Sequence, residues 1–419
     1  MDITQPLALL GGLTPQAFMK RHWHKKPLLV RQAVPELNGP NTGAFLLGRA
    51  VLFDLAAMDS VESRLISHAP LRTQRGAPSA WQLKSGPLQR RSLPALKQPR
   101  WTLLVQGLDL HHDGIRALMD RFRFVPDARL DDIMASFATE GGGVGPHFDS
   151  YDVFLLQVQG RRRWQISQQK DLTLVDGAPL KILANFVPEQ TFVLDPGDML
   201  YLPPGCAHDG VALNECITYS IGFQAPRRGE LARDLLLRMA DDVADGMSDS
   251  VSENVSDFVS DNASDKAPDT PGSALYRDSK QVAVSSPGEI PLPLRDFAQA
   301  ALARALRDPH LLARVLGEYL TEPKPSVWFE ASPSSSLLSN TSLVVPRGPV
   351  QLDRRTKMMF DARHVFINGE SFVAGGRDAR LMKQLADERS LDARRVAQCS
   401  AGAQELLDGW IDAGWIHER

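Results

Sequence analysis

Gly141-Gly142-Gly143-Val144-Gly145-Pro146-His147-Phe148-Asp149 is a glycine-rich approach that delivers an imidazole and a carboxylate two residues apart. On an extended strand that spacing puts both side chains on one face. The glycines let backbone come close to a ligand, and the stretch that follows, Val153 to Val158, is apolar enough for a barrel wall. A third candidate, His208, comes 61 residues after His147, behind Pro203-Pro204-Gly205 at the end of a strand. Two imidazoles and one carboxylate make the facial triad that holds non-haem Fe(II) and leaves coordination positions open. Zinc can use the same three in a tetrahedral arrangement, so the ligands alone do not choose the metal. Cys206 is a fourth soft donor by position, but with no second cysteine beside it the reading is a small apolar side chain in a turn.

Outward from this segment, short apolar runs alternate with tight turns. Leu130 to Phe137, Asp152 to Gln159, Arg163 to Ser167, Thr191 to Leu194, Met199 to Leu202 and Cys216 to Phe223 read as strands, punctuated by Gly160, Asp195-Pro196-Gly197-Asp198 and Pro203-Pro204-Gly205. Such a run argues for a barrel or sandwich. Between two of these strands, Gly160-Arg161-Arg162-Arg163-Trp164 leads from a turn into a strand, where alternation sends Arg162 to one face and its two neighbours to the other. A guanidinium facing into an apolar barrel requires an anion, which a dicarboxylic co-substrate supplies through a bidentate pair. Three solvated arginines are the plainer reading of the run by itself.

Helical patterns precede the strands at Thr14 to His24, Thr42 to Met58 and Leu110 to Phe124, and another follows at Leu292 to Leu320. Between about Asp241 and Pro293, Ser and Asp dominate. From Ser248 a Ser-acid pair recurs every four residues, which reads as a solvated linker. Near the C-terminus Val365-Phe366-Ile367, Asn368-Gly369 and Glu370-Ser371-Phe372 form a hairpin signal, because Asn-Gly supplies the positive φ angles of a two-residue turn. Helices at Asp378 to Glu388 and Ala401 to Ala413 flank it. From Arg347 to Arg419 there are 12 basic and 11 acidic residues, a balance that favours contact with protein over readout of nucleic acid.

Composition adds limits. The 419 residues carry 47 Lys plus Arg against 50 Asp plus Glu, so no cationic field gathers nucleic acid. Three scattered cysteines, Cys206, Cys216 and Cys399, rule out a disulfide framework and lead to the expectation of a reducing, cytoplasmic setting. Neither a secretory leader nor a membrane span is expected, since no apolar run reaches about 18 residues.

The stretch from Gly141 to Trp164, with Tyr151-Asp152-Val153-Phe154 inside it, and Pro203-Pro204-Gly205 leading to His208 resemble the cupin-type JmjC ribosomal oxygenases, among them bacterial members that hydroxylate an arginine of large-subunit ribosomal protein sixteen. The likeness extends to Trp23-His24-Lys25-Lys26-Pro27-Leu28, the helical middle and the C-terminal unit, and leaves out the Ser/Asp segment.

It implies an α+β chain. A double-stranded β-helix catalytic domain would occupy 1–228, a helical dimerisation region with the linker 229–325, and a winged-helix-like domain 326–419. It implies Fe(II) held by His147, Asp149 and His208, with 2-oxoglutarate as co-substrate, O2 as oxidant, and Arg162 on the distal carboxylate. The family often places a hydroxyl residue where Ala138 stands here, so Ser136 or Thr139 is the candidate substitute and Thr218 a further one. Tyr151 shares strand parity with the ligands and is a candidate for the substrate side; Asp152 has the opposite parity unless a bulge intervenes, although a carboxylate near the mouth would suit a cationic side chain, and structural support is an equal reading for both. The implied partners are a ribosomal protein substrate and a second copy of the chain. A noncatalytic cupin that binds a partner protein, and a zinc hydrolase using the same ligands, are the competing readings.

Overall fold

The computed structural model describes residues 2–38, 45–68, 81–252, 290–305, 309–331, 348–373 and 375–418. Eleven strands build the first half: β1 (Leu28–Val30), β2 (Ser63–His68), β3 (Trp81–Ser85), β4 (Trp101–Val105), β5 (Leu130–Ala138), β6 (Val153–Gln159), β7 (Arg162–Ser167), β8 (Gln190–Leu194), β9 (Met199–Leu202), β10 (Ala207–Ala212) and β11 (Cys216–Phe223). An eight-stranded antiparallel sheet runs β1-β9-β6-β11-β5-β4-β2-β3, and a three-stranded sheet, β10-β7-β8, faces it. This is the double-stranded β-helix that the sequence implies.

Why β6 reads as almost continuous apolar sequence is now physical: both of its faces are covered. Phe154, Leu156 and Val158 point outward into a large core shared with Phe18, Leu52, Phe53, Ile115, Leu118, Phe137 and Tyr219. That core lies under three helices, α1 (Pro15–Arg21), α2 (Arg49–Ala56) and α3 (Asp113–Asp120). Val153 and Leu155 point the other way, into the barrel with Trp164, Ile166, Leu194, Leu200 and Leu202.

Helix α4 (Arg228–Ser252) leaves the barrel, and α5 (Leu292–Ala305) and α6 (Pro309–Thr321) follow. The start of the expected linker is corrected here: backbone helix carries through Asp241 to Ser252, as a continuation of the amphipathic run from Leu231. The rest of the Ser/Asp repeat, 253–289, lies outside the described residues.

The C-terminal unit combines β12 (Val350–Leu352), β13 (Met358–Phe360), β14 (His364–Ile367), β15 (Glu370–Val373), α7 (Gly376–Glu388), β16 (Ser390–Leu391), α8 (Ala393–Val396), α9 (Ala401–Asp412) and β17 (Ile416–Glu418). Asn368 and Gly369 turn the β14–β15 wing with φ of 48° and 92°, as Asn-Gly requires. Arginines fasten this unit to the barrel: Arg354 donates to the Leu110 carbonyl at 2.9 Å and pairs with Asp113 at 2.8 Å, while Arg123 donates to the carbonyls of Ala386 and Asp387.

Candidate metal and dicarboxylate site

His147 and His208 meet through backbone. The His147 N–H donates to the His208 carbonyl at 2.9 Å and the His208 N–H returns the bond at 2.7 Å. The expectation that His147 and Asp149 share a strand face is corrected: the two residues lie outside any named strand, His147 making an isolated bridge to His208, and the side chains converge through a loop. Pro203-Pro204-Gly205 does close the strand Met199–Leu202, and His208 after it is the second residue of β10, a strand the sequence pattern did not show. Gly145 shapes the loop with φ of 80°, and a Cβ there would come within 2.6 Å of Ile182 and 2.8 Å of Trp81. No side chain fits that position.

One device orients both imidazoles. His147 Nδ1 donates to the carbonyl two residues back, Gly145, at 2.8 Å; His208 Nδ1 does the same to Cys206 at 2.9 Å. With Nδ1 committed to the carbonyl, Nε2 is the nitrogen each ring can offer to a metal. The rings stand 4.2 Å apart, and His208 Nε2 lies 3.7 Å from Asp149 Oδ2. Ligand atoms of His147, Asp149 and His208 all fall within 4.8 Å of one another, and among the described residues this is the only such cluster. Burial, reinforced by the neighbouring His147, lowers the His208 pKa to about 4, which holds the ring neutral as a ligand must be.

Arg162, 3% exposed, opens β7 and faces into the barrel. Its Nη1 donates to Ser136 Oγ on β5 at 3.0 Å, whereas Nε and Nη2 are buried with no acceptor. Ser136 lies opposite Thr218 in the β5–β11 register, and Thr218 opposite Gln157 on β6, so three polar side chains from adjacent strands line one strip of the inner face. Thr218 Oγ1 donates to Gln157 Oε1 at 2.9 Å. Thr139 stands apart, its hydroxyl 3.4 Å from both the backbone N–H and the carbonyl of Trp101. Ala138 packs with Ala212 and Cys216 in a small apolar cluster.

A buried guanidinium lacking a carboxylate partner fits a dianionic co-substrate, and two imidazoles with one carboxylate fit a divalent metal with open positions. Cys206 is not part of that group. Its buried thiol lies near the Ser167 carbonyl at 3.7 Å, and burial raises its pKa to about 11, so it is no ready thiolate.

Of the two readings of Asp152, structural support holds: it is fully buried, accepting from the Tyr201 hydroxyl at 2.5 Å and the His24 backbone N–H at 3.3 Å, which ties the Trp23-His24 segment to the barrel. Tyr151 is partly exposed, and its hydroxyl pKa is raised by burial and then by Asp149, Asp132 and Asp131. Those last two carboxylates escaped the sequence reading. The signal was there: Asp132 shares strand parity with Ser136 on β5, and Gln157 is the lone polar residue in an apolar run.

A JmjC-domain family model matches residues 117–231, and a ROXA-like winged-helix model matches residues 304–417. The chain is 40% identical over 217 residues to the ribosomal protein uL16 3-hydroxylase of Escherichia coli (strain K12), covering 51% of this chain and 53% of that protein. It is 34% identical over 223 residues to a probable ribosomal oxygenase of Haemophilus influenzae, covering 52% of each. The chain thus spans about half the length of the curated relatives it matches. Among solved structures, E. coli ycfD superposes with a TM-score of 0.73 at 26% identity, covering 97% of this chain and 98% of that one. A structure of the same E. coli protein, described as a ribosomal oxygenase in complex with cobalt and 2-oxoglutarate, gives 0.69 at 26% with the same coverage.

Proposed function

We propose that this chain is a member of the cupin-type JmjC ribosomal oxygenases and, as such, an Fe(II)- and 2-oxoglutarate-dependent protein hydroxylase acting on a ribosomal protein. The reaction we infer is 3-hydroxylation of an arginine in large-subunit ribosomal protein sixteen, uL16. One observation carries the reading: a three-ligand cluster and a buried guanidinium with two acceptor-less nitrogens share a single barrel.

In this reading His147, Asp149 and His208 hold the metal, and Arg162 with Ser136 takes the distal carboxylate of 2-oxoglutarate. Fe(II) with 2-oxoglutarate and O2 supplies the oxidising power needed to hydroxylate an unactivated carbon. The protein's part is positioning. Carbonyls of Gly145 and Cys206 fix the imidazoles; Ser136 aims the guanidinium; Leu155, Leu200 and Leu202 keep the interior dry. Thr218, within the strip beside Ser136, is engaged by Gln157.

We further propose a cytoplasmic homodimer joined through the helical region 229–325, where Leu237 and Leu292 are more than half exposed. Among the described residues no helix is long and apolar enough to cross a membrane. Light scattering of the full chain should give twice 46.2 kDa. Leu237→Lys with Leu292→Lys should halve it, and an unchanged mass would reject this interface.

The deciding experiment incubates the full chain with ribosomal protein uL16, Fe(II), 2-oxoglutarate and oxygen. A +16 Da shift on one arginine peptide with matching succinate release is expected. Absence of both would leave the noncatalytic cupin reading, and product formed without oxygen would indicate a zinc hydrolase.

A further inference from the structure

Arg162 is not the sole unsatisfied donor inside the barrel. Trp164, two residues along β7 and on the same inward face, buries its indole Nε1–H without an acceptor. Buried tryptophan N–H groups usually find a partner, because leaving one unpaired carries the full desolvation penalty. The surroundings offer none: Trp164 packs among Val153, Leu155, Leu194, Leu200 and Leu202.

The ring is held in place. Trp164 lies opposite Gly210 in the β7–β10 register, and a Cβ at Gly210 would come within 2.5 Å of Cζ3 and 2.6 Å of Cη2. The six-membered ring therefore covers the glycine, and the N–H edge is turned away from it. On its other sides the indole stands 5.9 Å from the His208 ring and has the Arg162 guanidinium carbon 5.7 Å from its centroid. The indole thus neighbours both the guanidinium and a ligand imidazole, and Arg162 on the same strand face carries two further buried N–H groups that also lack acceptors. Three donors on one strand face with no protein acceptor describe a place for a carboxylate.

We propose that Trp164 donates its indole N–H to the carboxylate that Arg162 receives, making it a second binding residue for the co-substrate from the same strand. This rests on the dicarboxylate reading above. The hydrogen bond is charge-assisted, and its loss should weaken 2-oxoglutarate binding about tenfold.

Calorimetry of 2-oxoglutarate binding to the Co(II)-loaded full chain tests it. Trp164→Phe removes the donor and keeps an aromatic ring; a roughly tenfold weaker Kd with an unchanged Co(II) absorption spectrum is expected, whereas wild-type affinity would overturn the assignment. If Trp164→Phe fails to fold, wild-type protein carrying 15N only at Trp164 and loaded with Zn(II) decides. The indole resonance should move downfield on adding 2-oxoglutarate, and a stationary resonance overturns the proposal. Failure of the wild-type Co(II) protein to bind 2-oxoglutarate at all would sink the underlying reading, and with it this role of Trp164. Wild-type binding left intact by Trp164→Phe would sink only the latter.

Discussion

Arg162 on the smaller sheet and Ser136 on the larger one are joined across the barrel by a 3.0 Å hydrogen bond. The serine fixes one arm of the guanidinium and leaves the other nitrogens to a ligand. Ser136→Ala would turn a third guanidinium nitrogen into an unpaired buried donor, at a cost of about 1–2 kcal/mol. The KM for 2-oxoglutarate should therefore rise about tenfold with kcat retained. Arg162→Ala removes the charge itself and should raise that KM by about a hundredfold or more. Succinate assays against 2-oxoglutarate concentration check both; an unaltered KM in Arg162→Ala would place the co-substrate elsewhere.

Removing one ligand from the cluster leaves two, too few to hold a divalent ion firmly. His147→Ala should lose Co(II) binding, followed by absorption, along with turnover. Cys206→Ala should leave the Co(II) spectrum unchanged, because the thiol lies against the Ser167 carbonyl and outside the cluster. A sulfur-to-metal charge-transfer band that vanishes in Cys206→Ala would instead make the thiol a ligand.

Much of the barrel was readable because its strands are short, apolar and bounded by Gly and Pro, so Met199–Leu202 and Cys216–Phe223 stand where the pattern put them. Strand β10 was not, because Ala207-His208-Asp209-Gly210 has neither apolar alternation nor β-branched residues. It forms because Gly210 accommodates the Trp164 ring and His208 exchanges backbone bonds with His147. The three ligands were legible as residue types at suggestive spacing. Their convergence came from a loop, which strand parity cannot anticipate; parity did place Asp152 on the face away from the ligands, but its partners, Tyr201 and His24, 49 and 128 residues away, were not legible. The Arg162–Ser136 pairing was visible only as a substitution for Ala138.

Gly210 and Trp164 form a size-complementary pair whose disturbance has a defined sign. A methyl at Gly210 meets the rigid indole face, so Gly210→Ala must displace the ring, at about 1–3 kcal/mol of overpacking. Thermal unfolding should shift down by a few degrees, with weakened 2-oxoglutarate affinity in the same variant because the indole moves with its N–H. Wild-type stability and affinity would mean that the strands part freely at this point, contrary to the fixed ring.

Asp353 links the winged-helix unit's first strand to its last and makes its stability pH-dependent. Burial works against its charge, yet hydrogen bonds from Arg355 at 2.8 Å and His417 at 2.9 Å overcome that and bring its pKa to about 2. A carboxylate whose folded pKa lies below its unfolded value stabilises the fold above the unfolded value, near 4, and that contribution fades as pH falls through about 2. The shift corresponds to on the order of 2 kcal/mol. Asp353→Asn should therefore lower resistance to urea at pH 7, and its deficit relative to wild type should shrink as pH is taken from 5 toward 2.5. A deficit independent of pH would show that the side chain acts through packing and its neutral hydrogen bonds alone.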